Sequence, residues 1–263
     1  MIIDVSVISA REFSELQPEE ISNLVMMHDF QWIATRPELQ EFILSRIMTL
    51  DCNVILEKPL ATTSQTWRKV TDLIQSADCR IFYSQPWTFS KLWHRATNEF
   101  NKLQFPISIN IYKTGQEYRT NFTALQDWLP HDLYLIESLI RNLDITEEGI
   151  SVSQSQLSNQ IKIIVGEKLY INLHFDISQH RKMIWEVSSD YGINFVVDFM
   201  NNTFEKFDDT EILLQETFIG DHPLINMFNQ YISEVDHEIN NRFPILQEII
   251  ASDFEDGDMR ISL

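Results

Sequence analysis

A lysine follows an apolar, strand-like run in the stretch NVILEKPLATT. Lys58 stands between Glu57 and Pro59, and Glu57 directly follows the apolar residues 54–56. Proline fixes its own φ and disfavours helical geometry in the residue before it, so Lys58 leaves the strand in a defined, extended direction. An ammonium group in such a place can hold or polarise an oxygen on which negative charge develops. The alternative is a lysine in solvent at the end of a strand.

Strand and helix patterns alternate over the first part of the chain. Apolar and β-branched runs predict strands in IIDVSVIS, DFQWIAT, NVILE and RIFYSQ, and amphipathic segments between them predict helices. Alternation of this kind indicates right-handed βαβ units and a parallel sheet covered on both faces. Ligands bind at the carboxyl ends of the strands in such sheets, which is where Lys58 stands.

The pattern changes after about residue 100. PISINIYKTG reads as a strand and WLPHDLYLIESLIRNL as a helix, and IKIIVGEKLYINLHFDIS, KMIWEVSSDYGINFVVDFM and NTFEKF read as successive antiparallel strands. Turns are expected near Gly166 and Gly192, and helices over roughly 222–240 and 244–252. An α/β part is therefore followed by an α+β part.

Composition excludes several classes of partner. The chain has 263 residues, a net charge of -19 and 44% hydrophobic residues, which favours a well-packed core and argues against nucleic acid as a ligand. No apolar run approaches the length of a membrane helix, and the N-terminus lacks the features of a secretion signal, so we expect a cytoplasmic protein without a membrane partner. Cys52 and Cys79 are too few for a disulfide framework, and we expect reduced, buried thiols.

Three motifs in order resemble the Gfo/Idh/MocA oxidoreductases. DFQWIATRPELQEFILSRIMTLDCNVILEKPLATT is similar to the second half of their nucleotide-binding domain, in which one strand ends in Ala-Thr-Pro-like residues and the next in Glu-Lys-Pro. IFYSQPWTFSKLW is similar to the following strand and its aromatic segment, and LQDWLPHDLYLIESLI to the Asp-x-x-x-His helix of their substrate domain. The resemblance implies a Rossmann-like nucleotide-binding domain over 1–100 and an α+β substrate-binding and oligomerisation domain, with a mainly antiparallel sheet, over 101–263.

The resemblance also implies the roles of individual residues. The catalytic group is Lys58, Asp127 and His131. The residues that bind a nicotinamide cofactor, NAD or NADP, are Ala34, Thr35, Arg36, Pro37, Glu57, Lys58 and Arg11. The residues that bind substrate are Trp87, Tyr118, Arg119, Asp127 and Trp128. This chemistry is sound, because hydride removal from a carbinol needs a base for the hydroxyl proton, and histidine titrates near neutral pH.

Structural alternatives exist for these residues. Asp127 can be the N-cap of a helix over 129–142, and Asp132 projects about 100° away from its neighbour His131 around that helix. Trp93 and Trp128 can be core residues. The remaining histidines show no ligand-like spacing, so we expect no metal site.

The chain has no glycine before Gly115, although a dinucleotide-binding loop of this type needs glycines for close approach of the pyrophosphate. IIDVSVISARE looks like the family's second strand, so the Rossmann-like sheet is expected to be incomplete, lacking the first βα unit. Arg11 then stands where a residue that selects the ribose 2′-phosphate would lie, or it is an exposed arginine. Three explanations stay open: a truncated sequence, a rebuilt cofactor site, or loss of redox chemistry.

The expected function is oxidation or reduction at a hydroxyl of a sugar, nucleotide-sugar or polyol with a nicotinamide cofactor. The alternative is a cofactor-free sugar-binding or regulatory relative. A homo-oligomer, dimer or tetramer, is expected through the C-terminal sheet, because alternating apolar residues are predicted on both of its faces: Ile163, Val165, Leu169, Ile171, Leu173 and Phe175.

Overall fold

A computed structural model describes most of the chain. The described residues are 5–8, 16–116, 124–145, 149–155, 160–178, 180–189, 192–208, 211–235, 244–251 and 258–261. The chain falls into two compact units. The first unit comprises residues 1–85 and 227–253, and the second comprises 86–226 and 254–263. The domains predicted from the sequence, 1–100 and 101–263, stay a prediction.

The first unit is built on a four-stranded parallel sheet in the order β1-β2-β3-β4. Its strands are β1 (Val5–Ile8), β2 (Phe30–Ile33), β3 (Asn53–Leu56) and β4 (Arg80–Tyr83). The helices of this unit include α1 (Pro18–Met26), α2 (Pro37–Ile47), α3 (Ser64–Gln75) and α7 (Glu248–Ala251), the last preceded by a 3-10 turn over Ile245–Gln247. Strands and helices alternate as the sequence pattern predicts.

Local signals set the ends of these helices. Pro18 and Pro37 occupy the first turns of α1 and α2, where a missing N–H has no cost. Thr63 caps α3 by accepting a hydrogen bond from the Thr66 N–H at 3.2 Å. The residues of β3 after Asn53 are buried, as expected for a strand covered on both faces.

The two cysteines lie together at the starts of β3 and β4. Both are buried and neither forms a disulfide, so the expectation of reduced, buried thiols is confirmed. A hydrogen bond between the thiols, helped by burial, raises the pKa of Cys52, and the same bond lowers the pKa of Cys79.

The second unit is built on a nine-stranded sheet in the order β12-β11-β10-β9-β5-β8-β7-β6-β13. The strands are β5 (Ile107–Gly115), β6 (Ile150–Ser155), β7 (Gln160–Val165), β8 (Leu169–Ile177), β9 (Lys182–Ser189), β10 (Gly192–Asp198), β11 (Thr203–Asp208), β12 (Glu211–Thr217) and β13 (Asp258–Ile261). All its pairs are antiparallel except that of β5 with β8. A 3-10 turn over Pro86–Phe89, α4 (Lys91–Phe100) and α5 (Ala124–Asn142) also belong to this unit, and α6 (Pro223–Val235) begins in it.

Side chains alternate strictly along the central strands of this sheet. Every second residue of β5 and of β8 up to Phe175 is buried, and the residues between are half-buried, whereas Asp176 and Ile177 at the end of β8 are exposed. The six apolar residues of β7 and β8 are all buried and share one face, because Ile163 pairs with Ile171 and Val165 with Leu169. The prediction that they occupy both faces is therefore wrong, since the turn at Gly166 keeps the two strands in phase.

The predicted fold class is confirmed: a Rossmann-like parallel sheet is followed by an α+β part with a mainly antiparallel sheet. Trp93 of α4 belongs to the core, with 1% of its surface exposed and its ring 5.4 Å from that of Trp185. Within the described parts of the chain, no helix combines the length and apolar character needed to cross a bilayer.

Candidate functional site

The carboxyl ends of three parallel strands form one edge of the first unit's sheet. β2, β3 and β4 are in register, and the Glu57 N–H donates to the Ile33 carbonyl at 3.3 Å just beyond the strand ends. The Ser84 N–H donates to the Leu56 carbonyl at 2.8 Å in the same way. The turn of Glu57, Lys58 and Pro59 therefore begins at this edge, as the sequence predicts.

Gln40 of α2 holds this edge together. Its side-chain amide donates to the carbonyls of Glu57 at 2.9 Å, Pro59 at 3.3 Å and Thr35 at 3.3 Å. The side chain is 1% exposed, and its Oε1 is buried without a hydrogen-bond partner. One neutral amide thus fixes both the loop after β2 and the turn after β3.

The turn itself is ordered by its own polar groups. The Glu57 carboxylate accepts a hydrogen bond from the Ser84 hydroxyl at 2.8 Å and one from the Lys58 N–H at 3.2 Å. The peptide bond between Lys58 and Pro59 is cis, and the Lys58 side chain is half-buried. The ammonium group therefore starts from a backbone that is fixed by two neighbouring strands.

The other residues predicted to bind a cofactor surround the end of β2. Ala34 and Arg36 are exposed, Thr35 is half-buried, and Pro37 is buried at the start of α2. The Thr35 hydroxyl donates to the Arg36 carbonyl at 3.3 Å. Arg11 lies outside the described residues. The hydroxyl of Thr35 and the guanidinium of Arg36 are groups that suit ribose hydroxyls and phosphate oxygens.

The predicted acid and base of the second unit lie on α5. Asp127 is within the first turn of this helix, which begins at Ala124, so the alternative of an N-cap for a helix over 129–142 is wrong. His131 follows one turn later, on the same side of the helix. Between Leu129 and Ile140, only His131 and Ser138 are not buried. His131 therefore keeps partial access to its surroundings within the largely buried stretch of α5 from 129 to 140.

A buried ion pair lies next to His131. Lys113 of β5 donates to Asp132 Oδ2 at 2.6 Å and to the Trp128 carbonyl at 2.5 Å. Trp185 of β9 donates from Nε1 to Asp132 Oδ1 at 3.3 Å. Asp132 is 0% exposed, and each of its carboxylate oxygens accepts a hydrogen bond.

The aromatic residues predicted to contact substrate have structural neighbours. A Cβ on Gly115 would lie 3.1 Å from Cζ2 of Trp128, so the ring of Trp128 is packed closely over β5. Trp87 is half-buried and meets Phe199 edge-on, with ring centroids 5.7 Å apart. Tyr118 and Arg119 lie outside the described residues.

Sequence reasoning missed Gln40 and Lys113, although each carries a signal. Gln40 lies on the buried side of α2 with Ile43, Leu44 and Ile47. Lys113 continues the buried series of Ile107, Ile109 and Ile111 in β5. A polar residue at an apolar position of a regular pattern predicts an internal hydrogen bond or ion pair, but the pattern does not name the partner.

Comparison with known proteins finds a family that residues 5–85 resemble. Residues 5–85 match the sequence model of an oxidoreductase family with an NAD-binding Rossmann fold. The model is that of the Gfo/Idh/MocA oxidoreductases, and residues 5–85 are similar to it. The resemblance seen in the sequence is thus confirmed over residues 5–85, which match a family of oxidoreductases. None of the curated proteins matches the chain.

Solved structures share the fold of this chain over most of its length. A dehydrogenase from Clostridium difficile is 19% identical with a TM-score of 0.64, covering 88% of this chain and 80% of its own. GenD2 from gentamicin A biosynthesis, in complex with NAD, is 14% identical with a TM-score of 0.66, covering 97% and 85%. Myo-inositol dehydrogenase from Lactobacillus casei, in complex with NAD(H) and myo-inositol, is 13% identical with a TM-score of 0.59, covering 92% and 81%.

The described residues contain no candidate metal site. Across the described residues, no group of three or more histidine, cysteine, aspartate or glutamate side chains could hold a metal ion. The polar groups at the end of β2 and in the Glu-Lys-Pro turn instead match the hydroxyl-rich and anionic character of a nicotinamide ribose and its phosphate. The donor set fits that end of a dinucleotide, whereas glycine for the pyrophosphate is absent from the sequence before Gly115.

Proposed function

We propose that this chain is an NAD(P)-dependent oxidoreductase acting on a hydroxyl of a sugar, nucleotide-sugar or polyol. The observation that carries the proposal is Lys58, which leaves the carboxyl edge of a parallel sheet in a Glu-Lys-Pro turn within the segment that matches the family. Such an edge is where ligands bind in open α/β sheets.

In this proposal His131 takes the hydroxyl proton of the substrate, because neutral imidazole is a base near neutral pH. Lys58 holds the same oxygen as negative charge develops on it. Asp127, one helical turn before His131, orients the imidazole or holds a second substrate hydroxyl. A bound nicotinamide accepts or supplies the hydride. The partial access of His131 within the largely buried stretch from 129 to 140 supports its role.

Cofactor binding is proposed for the end of β2 and the turn after β3. Thr35, Arg36 and Lys58 would supply donors to ribose and phosphate oxygens, with Ala34 and Pro37 shaping the loop and Glu57 fixing the turn. Gln40 supports this assignment, because it fixes the loop and the turn through one amide. Arg11 would favour NADP if it meets a ribose 2′-phosphate.

A polyhydroxylated substrate is proposed because the solved structures similar to this chain include one bound to myo-inositol. Aromatic rings stack on the apolar faces of sugars, and Trp87 and Trp128 are both half-buried rather than enclosed. Tyr118 and Arg119 would add hydrogen bonds or bind an anionic group of a nucleotide-sugar.

We propose a homo-oligomer, a dimer or tetramer, in which the sheet of the second unit is the contact. The sheet face away from the buried core carries half-buried residues that are mostly polar, among them Asn110, Tyr112, Asn172 and His174. Asn110 and Asn172 share a hydrogen bond of 3.1 Å, and the Tyr112 and His174 rings are stacked at 5.2 Å. A partner surface there would be polar and hydrogen-bonded. The proposed setting of the protein is the cytoplasm.

A second candidate is a cofactor-free sugar-binding or regulatory protein. The absence of glycine before Gly115 favours it, since close approach of a pyrophosphate to the backbone normally needs glycine. Under this alternative Lys58, Asp127 and His131 bind the ligand without redox chemistry.

A thermal-shift panel separates the two candidates. The oxidoreductase predicts stabilisation by NAD(H) or NADP(H), whereas the binding protein predicts stabilisation by myo-inositol or UDP-N-acetylglucosamine alone. For an active enzyme, Lys58→Ala and His131→Ala should abolish turnover without unfolding the chain. Lys69→Ala and His94→Ala replace exposed residues and are the matched controls. Retained turnover in His131→Ala would overturn the proposed mechanism.

A further inference from the structure

Helix α5 is weak at the turn that carries His131. Pro130 lies inside the helix, where it provides no N–H for the carbonyl four residues earlier and its ring crowds that carbonyl. Asp127, Trp128 and His131 all stand within three residues of this proline. The orientation of this turn therefore depends on contacts from outside the helix.

Strand β5 provides two such contacts. The Lys113 ammonium bonds both the Trp128 carbonyl and the Asp132 carboxylate, so it joins residues on either side of Pro130. Gly115 lies two residues after Lys113 on the same face of β5 and leaves room for the Trp128 ring. Lys113 is 8% exposed, and its ammonium group is directed at the helix rather than at solvent.

Strand β9 provides the third contact. Trp185 pairs with Ile111 across the sheet and donates to the second oxygen of Asp132. Both oxygens of this fully buried carboxylate are thus bound, each by a different strand. Two bonds to separate strands fix the rotation of the helix at Asp132, and hence the direction of the adjacent His131.

Stability alone does not account for a buried pair of this kind. Apolar side chains of similar volume often replace a buried ion pair with no loss of stability. What apolar side chains do not reproduce is the direction of the bonds, and catalytic groups need their geometry held to within about 0.5 Å.

We propose that Lys113 and Asp132 are positioning residues that hold the first half of α5, and so the side chains of Asp127 and His131, in working geometry. This inference rests on the proposed function for the role of His131. The pair has no direct part in chemistry, because the ammonium and the carboxylate are enclosed and already bonded to one another.

The test is the double variant Lys113→Met with Asp132→Leu, which removes both charges and keeps the volume. We expect a melting temperature within about 5 °C of the wild type, a kcat lower by about tenfold or more, and a nearly unchanged KM for the nicotinamide cofactor. Proton NMR should show a shifted His131 ring resonance and a changed titration midpoint, with the resonance assigned through His131→Gln.

The matched control is the double variant Glu137→Leu with Arg141→Met, which removes the ion pair of 2.6 Å farther along the same helix. This variant should leave the His131 resonance and kcat as in the wild type. If the Lys113 and Asp132 double variant does not fold, Trp185→Phe removes one bond to Asp132 and should change the same readouts in the same direction.

Unchanged kcat and an unchanged His131 titration in the double variant would overturn the inference while leaving the oxidoreductase intact. If the wild type shows no turnover, the proposed function fails, and the NMR readout still decides whether the pair orients His131.

Discussion

The two units differ in the charge of their buried polar side chains. Of the described residues, the buried polar side chains of the first unit are all neutral: Gln31, Gln40, Ser84 and Gln247. Those of the second unit are mostly ionisable: Glu99, Lys113, Asp132, Glu137 and Asp221, with Ser90. The candidate lysine is held by an uncharged amide, and the candidate histidine by a pair whose charges cancel. Neither the amide nor the ion pair carries a net charge, and the Glu57 carboxylate is the charged group that also orders the turn of Lys58.

The difference predicts where the molecule is vulnerable. A neutral amide is indifferent to pH, whereas a buried charge is stable only while its partner is present and ionised. Changes that break ion pairs of the second unit should therefore cost more, and depend more on pH, than changes in the first unit.

The largest effect is expected for Asp132→Ala. It leaves the Lys113 ammonium buried without its carboxylate, which should lower the free energy of unfolding by about 3–5 kcal/mol. Urea denaturation followed by circular dichroism measures this. Asp127→Ala is the control, because that carboxylate is half-buried on the same helix and its loss should cost far less. Equal losses for the two variants would contradict the comparison.

Acid should weaken the second unit next. Burial opposes ionisation of Glu99, but hydrogen bonds from Lys102, Lys206 and Arg95 outweigh it and lower the pKa of Glu99 from 4.5 to about 2. The stability from this group is complete above pH 4.5 and is lost as the pH falls towards about 2, a change of about 3 kcal/mol.

The measurement for Glu99 is a series of urea titrations between pH 6 and pH 2.5. Glu99→Gln should be less stable than the wild type at pH 6 and should show a flatter decline with acid. Parallel declines of the two proteins would show that Glu99 does not carry this pH dependence.

A smaller effect is expected for Gln40→Leu in the first unit. The change removes a donor that three carbonyls share and should lower the free energy of unfolding by about 1–3 kcal/mol. The loss should be the same at pH 5 and pH 8, because no charge is involved. Gln65→Leu, at an exposed position of α3, is the control. A loss that varies with pH would indicate that a charged group also depends on Gln40.

The smallest effect is expected for Lys69→Met. Lys69 pairs with Glu41 at 3.1 Å on the surface of the first unit, where 54% of the lysine side chain is exposed. Removing such a pair should change the unfolding free energy by less than about 1 kcal/mol. A loss as large as that of Gln40→Leu would mean that charge supports the first unit as well.

Particular residues show how far sequence reasoning reached. The carboxyl-edge position of Lys58 followed from a strand pattern and one proline, both local features, and the parallel sheet bears it out. The alternative that Asp127 is the N-cap of a helix over 129–142 was wrong: an aspartate before an apolar run is typical of an N-cap, but the helix begins at Ala124. The helix continues through Pro130, which lies inside it.

Other features lay beyond any local pattern. Gln40 and Lys113 were visible as polar residues in apolar series, but their partners were not. Gln40 bonds Glu57, 17 residues away, and Lys113 bonds Asp132, 19 residues away. Likewise, the strand pattern of β5 gave no sign that it pairs in parallel with β8 and antiparallel with β9.

The sequence by itself determined the order of strands and helices, the placement of Lys58, and the spacing of Asp127 and His131, because periodicity and proline geometry act over a few neighbouring residues. Only the tertiary structure decided that Gln40 joins two loops and that Lys113 holds Asp132. Those bonds join segments brought together by burial of the whole core, and burial is a property of the folded chain rather than of any stretch of it.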